Sequence, residues 1–203
     1  MLRPFTRLHE PLAFVRQFTP NWFAMTMGTG VLAQVVAKLP LSFPGQLLLA
    51  EGLWWLTVLL FTLFSLLFAA RLLLFRDTLW PMLDHPVQSM FLGAIPMGLV
   101  QVINGLLLFA APVHGASLVA LAHGLWWLAL VLALCAAIGV PYLMFTRQKH
   151  VLETLTGVWL LPIVAPEVVA SGAAALAPHL AAESAQLLLS LGYVLWGLSL
   201  SLA

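Results

Sequence analysis

The sequence predicts an all-α integral membrane protein in which six transmembrane helices form three helical hairpins. Hydrophobic residues make up 63% of the chain and charged residues only 7%, and the mean hydropathy is +1.05. A soluble domain carries about 25% charged residues, so this composition excludes a soluble globular fold. The apolar residues also fall into six long segments, and short motifs recur along them at intervals of roughly 70 residues.

Each apolar segment has about the length of a membrane span, although the first is at the short end. A helix needs about 20 apolar residues to cross the hydrocarbon core, and it satisfies its backbone hydrogen bonds within one segment. The strands of a membrane barrel would alternate polar and apolar residues, and this sequence does not. We predict helices at about 22–38, 48–74, 88–111, 116–145, 154–177 and 184–203.

The chain before the first segment, residues 1–21, is predicted to be a cytoplasmic arm. It lacks the compact apolar core and small-residue cleavage site of a signal peptide. Residues 22–203 are predicted to form one transmembrane domain. Its three hairpins are expected at about 22–74, 88–145 and 154–203.

The basic residues lie almost entirely at one end of the predicted helices. Seven of the eight lysines and arginines precede the first helix or lie between the second and third or the fourth and fifth; only Lys38 lies at the other end. The positive-inside rule therefore predicts that both ends of the chain are cytoplasmic. We expect a multi-pass protein of the plasma (inner) membrane, surrounded by the lipid bilayer. The net charge of +1 indicates no nucleic-acid partner, and the single cysteine, Cys135, cannot form a disulfide within the chain.

Two sets of motifs indicate an internal repeat. Residues 51–56 read Glu-Gly-Leu-Trp-Trp-Leu and residues 123–128 read His-Gly-Leu-Trp-Trp-Leu, with a weaker echo at 195–197. The odd-numbered segments repeat a polar residue followed by two β-branched residues at separations of 67 and 66 residues. These polar residues are Gln34, Gln101 and Glu167. The chain therefore resembles three copies of one helical hairpin.

The odd helices differ from the even ones in kind. The even helices are bulky, whereas the odd ones carry helix breakers and small residues. Because groups freed by a proline are tolerated at membrane depth only against protein or water, we expect the odd helices inside and the even ones against lipid. The prolines are interpreted as kinks and the glycines as sites of close packing or pore opening. These residues are Pro96, Pro162, Pro166, Gly28, Gly30, Gly93 and Gly98.

Four polar residues of the odd helices are candidates to line a path across the membrane. Equivalent repeat positions place Gln34, Gln101 and Glu167 at similar depth, and Asn104 shares a helical face with Gln101. A charge at the centre of a helix costs roughly 2.5–3.5 kcal/mol, so such residues face a bundle interior or a water-filled path. The functional interpretation is contact with a transported ion, or proton coupling at Glu167; the alternative is interhelical hydrogen bonding.

The segment before the third helix carries a candidate helix cap. Asp84 or His85 is expected to cap that helix at its cytoplasmic end, with Pro86 in the first turn. His123 is interpreted as a hydrogen-bonded residue of the bundle. His150 and Glu153 are three residues apart, which is too weak a pattern to predict a metal, and Arg147 and Lys149 beside them are interpreted as determinants of orientation.

Three motifs resemble those of one family, in the same order. Residues 22–30 resemble the first-helix motif of the tellurite-resistance/dicarboxylate transporter family, residues 85–86 with 91–98 its third-helix motif, and residues 159–167 its fifth. This family includes tellurite-resistance proteins, malate permeases, sulfite exporters and plant slow anion channels. The resemblance covers essentially the whole chain.

The resemblance implies a pore for small anions built from ten helices in five hairpins, with the odd helices inside, in a homo-oligomer that the family forms as a trimer. This chain supplies three such hairpins, so we expect it to belong to a longer protein whose gating aromatic residue lies beyond Ala203. The implied cargo is of the C4-dicarboxylate or tellurite type, with sulfite or another inorganic anion as the alternative. No cofactor is implied.

Other classes of function have weaker support. The sequence contains no GxxxxGK[ST], GxSxG or HExxH pattern, so ATP-driven transport and the corresponding hydrolase chemistries have no motif. We therefore expect a protein that is not an enzyme. A membrane scaffold that transports nothing, or a truncated product, stays open as an alternative of a different class.

Overall fold

A computed structural model describes residues 12–148 and 156–203, and every regular element within them is helical. This confirms the predicted all-α class. Three short α-helices of the described chain, Ala13–Arg16, Leu79–Asp84 and Ala111–His114, lie outside the six long ones. The long helices are α1 Phe23–Lys38, α2 Gln46–Leu74, α3 Ala94–Gly105, α4 Ala116–Thr146, α5 Leu161–Leu176 and α6 Ala182–Leu202.

Five helical stretches of the described chain are long and apolar enough to cross a membrane, which makes this a multi-pass membrane protein. They contain α2 to α6; those around α3 and α5 extend over Met90–Val113 and Gly157–His179. Helix α1, the shortest predicted span, has 16 residues. It ends where Leu39 turns extended, with ψ 133°, because a residue before a proline is pushed out of the helical region.

Each odd helix is entered through a turn of 3-10 helix, so the repeat seen in the sequence is also a repeat of backbone shape. The three turns are Pro20–Trp22, Met90–Gly93 and Gly157–Leu160. They lead directly into α1, α3 and α5, respectively.

The structure corrects the expectation that all three prolines kink their helices. Pro162 is the second residue of α5 and Pro96 the third residue of α3. The first N–H groups of a helix have no partner within it, so a proline there removes no hydrogen bond and marks the helix start instead. Pro166 does lie inside α5, and Pro141, which the motifs did not single out, lies inside α4.

The odd helices pack in the order α1, α3, α5, and α3 is the most enclosed helix. The buried share of the most apolar 18 residues is 67% in the stretch around α3 and 44% in the stretch around α5. The same share is only 17% in α2, 33% in α4 and 22% in α6. Helix α3 lies in the groove between α1 and α2, and α5 lies in the groove between α3 and α4. The even helices therefore form the more exposed layer, as their bulky apolar residues predict.

Tryptophans of the repeated motif connect each hairpin to the next. The indole N–H of Trp54 in α2 donates to the carbonyl of Val102 in α3 at 3.2 Å, and that of Trp126 in α4 donates to Val169 in α5 at 3.0 Å. Each ring lies over a glycine of the helix it binds, Gly105 under Trp54 and Gly172 under Trp126. The Trp-Trp motif thus marks a hydrogen bond between hairpins.

Replacing Trp126 by phenylalanine is expected to destabilise the protein by about 2 kcal/mol or more, because the variant loses the interhelical hydrogen bond and part of a fully buried ring. Trp127→Phe is the control, since Trp127 is 37% exposed and donates only to His123, one turn away in the same helix. Thermal unfolding in detergent measures both. Equal losses in the two variants would show that the bond to Val169 contributes nothing.

Candidate functional site

The structure brings two of the predicted polar residues together between α1 and α3. The side-chain amide of Gln34 donates to Oε1 of Gln101 and also approaches the carbonyl of Gly30 at 3.3 Å. Gln101 is buried and Gln34 is half-buried. Gln34 and Gln101 therefore lie at the same depth, as expected. Their hydrogen bond joins two helices, which is the alternative role that the sequence leaves open for these residues.

Small residues allow α1 and α3 to approach this closely. A Cβ added at Gly30 would overlap Cβ of Gln101, and one added at Gly98 would overlap the hydroxyl of Thr26. A Cβ at Gly93 would meet the backbone of α5, 2.5 Å from the carbonyl oxygen of Leu161. These three glycines are close-packing positions, as expected for membrane helices.

Gly28 is different from the other three glycines. No described atom lies within 4 Å of the position that its Cβ would occupy. The residue is exposed, and close packing within the described structure does not explain it.

Asn104 lies on the stripe of α3 between the contacts with α1 and with α5. Asn104 is three residues after Gln101, which contacts α1, and four residues after Val100, which lies beside Gly172 of α5. Residues three or four apart lie on one side of a helix, so Asn104 is next to both contacts. Its Oδ1 is buried and has no hydrogen-bond partner among the described residues. A buried carbonyl oxygen without a partner costs about 1–3 kcal/mol, so this position calls for a ligand, a water or a functional explanation.

Glu167 does not join the two glutamines, and this corrects the predicted three-membered set. It is exposed, in a cavity of about 390 Å³ between α5 and α6 that Ser171, Tyr193 and Trp196 also line. The corresponding groove of the first hairpin holds α3 and that of the second holds α5. Glu167 and Gln34 therefore occupy equivalent positions: each faces the groove of its own hairpin. No described helix fills the groove beside Glu167, between α5 and α6.

Lys38 is a site residue that the motifs did not single out. It lines a cavity of about 400 Å³ on the exposed side of α1 together with Gln34, one helical turn earlier, and the apolar residues Val31 and Val35. The signal in the sequence was the spacing of four residues between Gln34 and the one basic residue at this end of the helices. An ammonium group and an amide thus share one cavity.

The expected cap of the third helix is also placed differently. Asp84 pairs with Arg147 at the end of α4, with Nε–Oδ1 at 2.9 Å and Nη2–Oδ2 at 3.0 Å, so it caps nothing. His85 accepts the backbone N–H groups of Val87 and Gln88 at 3.2 and 3.3 Å. It caps the turn that precedes Met90, because the 3-10 turn shifts the start of α3 further along the chain.

The remaining histidine prediction can be placed within α4. Nε2 of His123 accepts the indole N–H of Trp127 at 3.0 Å, so this histidine is hydrogen-bonded within α4, on its exposed side. Among the described residues, no group of three or more histidine, cysteine, aspartate or glutamate side chains is arranged to hold a metal. Lys149, His150 and Glu153 lie outside the described residues.

A multi-pass bundle with enclosed odd helices, and with paired amides at the contact between α1 and α3, has the architecture of a membrane transporter or channel. The chain belongs to the voltage-dependent anion channel family, whose model matches residues 17–203. This confirms the family resemblance read from the three helix motifs.

Individual relatives are transport proteins by name. The chain is 38% identical over 190 residues to a sulfite efflux pump of Arthroderma benhamiae, covering 93% of this chain and 51% of that protein. It is 29% identical over 193 residues to an uncharacterized transporter of Methanocaldococcus jannaschii, covering 92% and 52%. A malic acid transport protein of Schizosaccharomyces pombe is 24% identical over 159 residues, covering 78% and 36%.

The chain spans about half the length of the sulfite efflux pumps that it matches. No solved structure matches it.

Proposed function

We propose that the protein moves small oxyanions across a membrane and that the contact between α1 and α3 forms part of the wall of their path. The observation that carries this proposal is the buried, unpartnered Oδ1 of Asn104 beside the Gln34–Gln101 pair. A purely structural polar group would be expected to have a partner. Because Oδ1 is an acceptor, what it would contact is a water of the ion's hydration shell or the hydroxyl of a protonated oxyanion, and it is free between passages.

The polar groups of this wall favour an anion. Lys38 lies near the end of α1 and Gln34 one turn further in. Helix α3 runs parallel to α1, so Gln101 lies opposite Gln34, and Asn104 lies one turn nearer the Lys38 end. An ammonium group attracts anions to a mouth, and amide N–H groups replace part of their hydration shell. Glu167, the one carboxylate among the predicted path residues, lies apart from this row, so it does not repel an anion there.

The cargo that we propose to test first is sulfite, with malate as the second candidate. The relative with 38% identity is named as a sulfite efflux pump, and a more distant one at 24% as a malic acid transport protein. Both names denote small oxyanions, and the same arrangement of donors suits both. Sulfite was the alternative to the C4-dicarboxylate or tellurite class in the interpretation of the sequence.

We place the protein in the cell membrane, with Arg16, Arg71, Arg76 and Arg147 on the cytoplasmic side. Support for this orientation comes from the positive-inside rule, since among the described lysines and arginines only Lys38 lies at the other end. The open α5–α6 groove has the shape in which a further hairpin packs, because the two equivalent grooves hold α3 and α5. Such a hairpin would close the path on the side of Glu167.

Asn104→Leu is expected to reduce sulfite flux into liposomes about tenfold or more and to leave the protein as stable as the wild type or slightly more stable. The Oδ1 that it removes has no hydrogen bond to lose among the described residues, whereas the amide N–H groups that it also removes can donate to an anion, a contact worth roughly 1.5–3 kcal/mol. Flux and thermal unfolding are measured on the same preparations. Ser201→Leu, an exposed serine near the end of α6, is the control for added apolar volume.

The flux assay also separates this proposal from the scaffold alternative. A scaffold carries neither sulfite nor malate in the wild-type protein, so an absence of flux of both anions in folded, reconstituted protein would overturn the proposal. If Asn104→Leu transports as fast as the wild type, the protein is a transporter but Asn104 on α3 does not line the path.

A further inference from the structure

A buried arginine at the cytoplasmic end of α2 has no negative partner. Arg71 is 6% exposed, and its guanidinium group donates only to neutral oxygens: Nε to the hydroxyl of Thr78 at 3.0 Å, Nη2 to the carbonyl of Thr78 at 3.4 Å, and Nη1 to the carbonyl of Phe18. No described carboxylate lies within ion-pair distance of it. Because a buried charge is costly without a counter-ion, this site favours an anion.

Arg71 lines a cavity of about 360 Å³ together with a second arginine and an aspartate. Arg16 and Asp77 pair with each other at 2.7 Å and so largely neutralise each other. The positive charge of Arg71 is left over. The cavity therefore carries a net positive charge.

Two further hydrogen-bond donors line the same cavity. Nδ1 of His85 accepts two backbone N–H groups, so in the neutral ring the proton is on Nε2, which is a donor. The side chain of Gln88 supplies an amide, and no hydrogen bond occupies it among the described residues. Guanidinium, imidazole and amide donors around one net positive cavity are a set that suits a phosphate oxyanion.

We propose that this cavity binds a phosphate group at the cytoplasmic end of the bundle. It lies at the end of the helices opposite Lys38, where the basic residues place the cytoplasmic headgroup region. The phosphate is supplied either by the headgroup of an anionic phospholipid or by free phosphate in the cytoplasm. The proposal does not depend on what the protein transports.

The test compares the wild type with Gln88→Glu, which places a carboxylate in the cavity. Thermal unfolding of purified protein is followed with inorganic phosphate against chloride at equal ionic strength, and with mixed micelles of phosphatidylglycerol against phosphatidylcholine. We expect a rise in the wild-type midpoint with one of the two phosphate probes. Gln88→Glu is expected to raise the midpoint without any probe, because its carboxylate neutralises Arg71, and to weaken the apparent affinity at least tenfold.

Two further variants keep the outcome interpretable. Gln186→Glu makes the same charge change at an exposed position near the start of α6, at the end of the bundle opposite the cavity. This variant should respond to the probes as the wild type does. His85→Asn keeps an oxygen that accepts the backbone N–H groups but removes the imidazole donor, and should weaken the response severalfold even if Gln88→Glu does not fold.

Each outcome decides between the sources or against the proposal. A response to inorganic phosphate identifies a site open to free phosphate, and a response to phosphatidylglycerol alone identifies a headgroup site. A wild type that responds to neither, or a response that survives unchanged in both Gln88→Glu and His85→Asn, overturns the proposal.

Discussion

Replacing Gly93 by alanine is expected to destabilise the protein by roughly 2–3 kcal/mol, because the new Cβ would collide with backbone rather than with a side chain that can turn away. The Cβ would lie 2.5 Å from the carbonyl oxygen and 2.7 Å from the carbonyl carbon of Leu161, and 2.9 Å from Cα of Pro162. These atoms form the first turn of α5, whose proline restricts its backbone further. Relief requires α3 and α5 to move apart.

Gly28→Ala is the matched control for this prediction. It makes the same chemical change in a helix, but nothing lies within 4 Å of the new Cβ. Alanine is the better helix former by about 1 kcal/mol, so this variant should be as stable as the wild type or more stable. Thermal unfolding in detergent measures both variants; a Gly93→Ala protein as stable as Gly28→Ala would contradict the close approach of α3 and α5.

The Gln34–Gln101 pair supports the second large prediction, which separates a path from interhelical adhesion. Each single substitution by leucine, Gln34→Leu or Gln101→Leu, should cost about 1–3 kcal/mol because it leaves the other amide without its partner. The double variant removes both amides and should recover most of that stability. Sulfite flux, in contrast, should fall about tenfold or more in all three variants, since each lacks a donor that the anion would meet.

The double variant gives the decisive measurement. If its stability recovers and its flux equals that of the wild type, the pair only holds α1 against α3 and the path lies elsewhere. If its flux falls while its unfolding midpoint recovers, the loss cannot be attributed to damaged folding. Both quantities are measured on the same reconstituted preparation, with flux expressed per folded protein.

The repeat explains why much of the fold was accessible from the sequence. Membrane helices need long apolar segments, so composition and segment length predict six helices, of which five are long and apolar enough to span a membrane in the described chain. A repeat then relates equivalent positions, which is why Gln34 and Gln101 were expected at one depth and do meet. The tryptophans of the repeated motif play one structural role twice, at Trp54 and at Trp126.

Contacts between distant segments depended on the tertiary structure. Local sequence predicts Asp84 to be a helix cap because it shows only neighbouring partners, but its partner Arg147 is 63 residues away. A proline within an apolar segment predicts a kink at Pro162, but the 3-10 turn before α5 moves the start of that helix to Leu161, so Pro162 lies in its first turn. Neither fact can be read from a window of neighbouring residues.

The sequence by itself determined the membrane class, the family, the three-hairpin repeat and the polar positions of the inner helices, because each follows from local composition or periodic spacing. Only the tertiary structure decided which of those positions share a site. It joined Gln34 to Gln101, added Lys38, left Glu167 in the separate groove between α5 and α6, and buried Arg71 without a carboxylate. The physical reason is that the neighbours of a side chain depend on which helices fill the grooves beside its own helix. That is decided by helix packing along the whole chain.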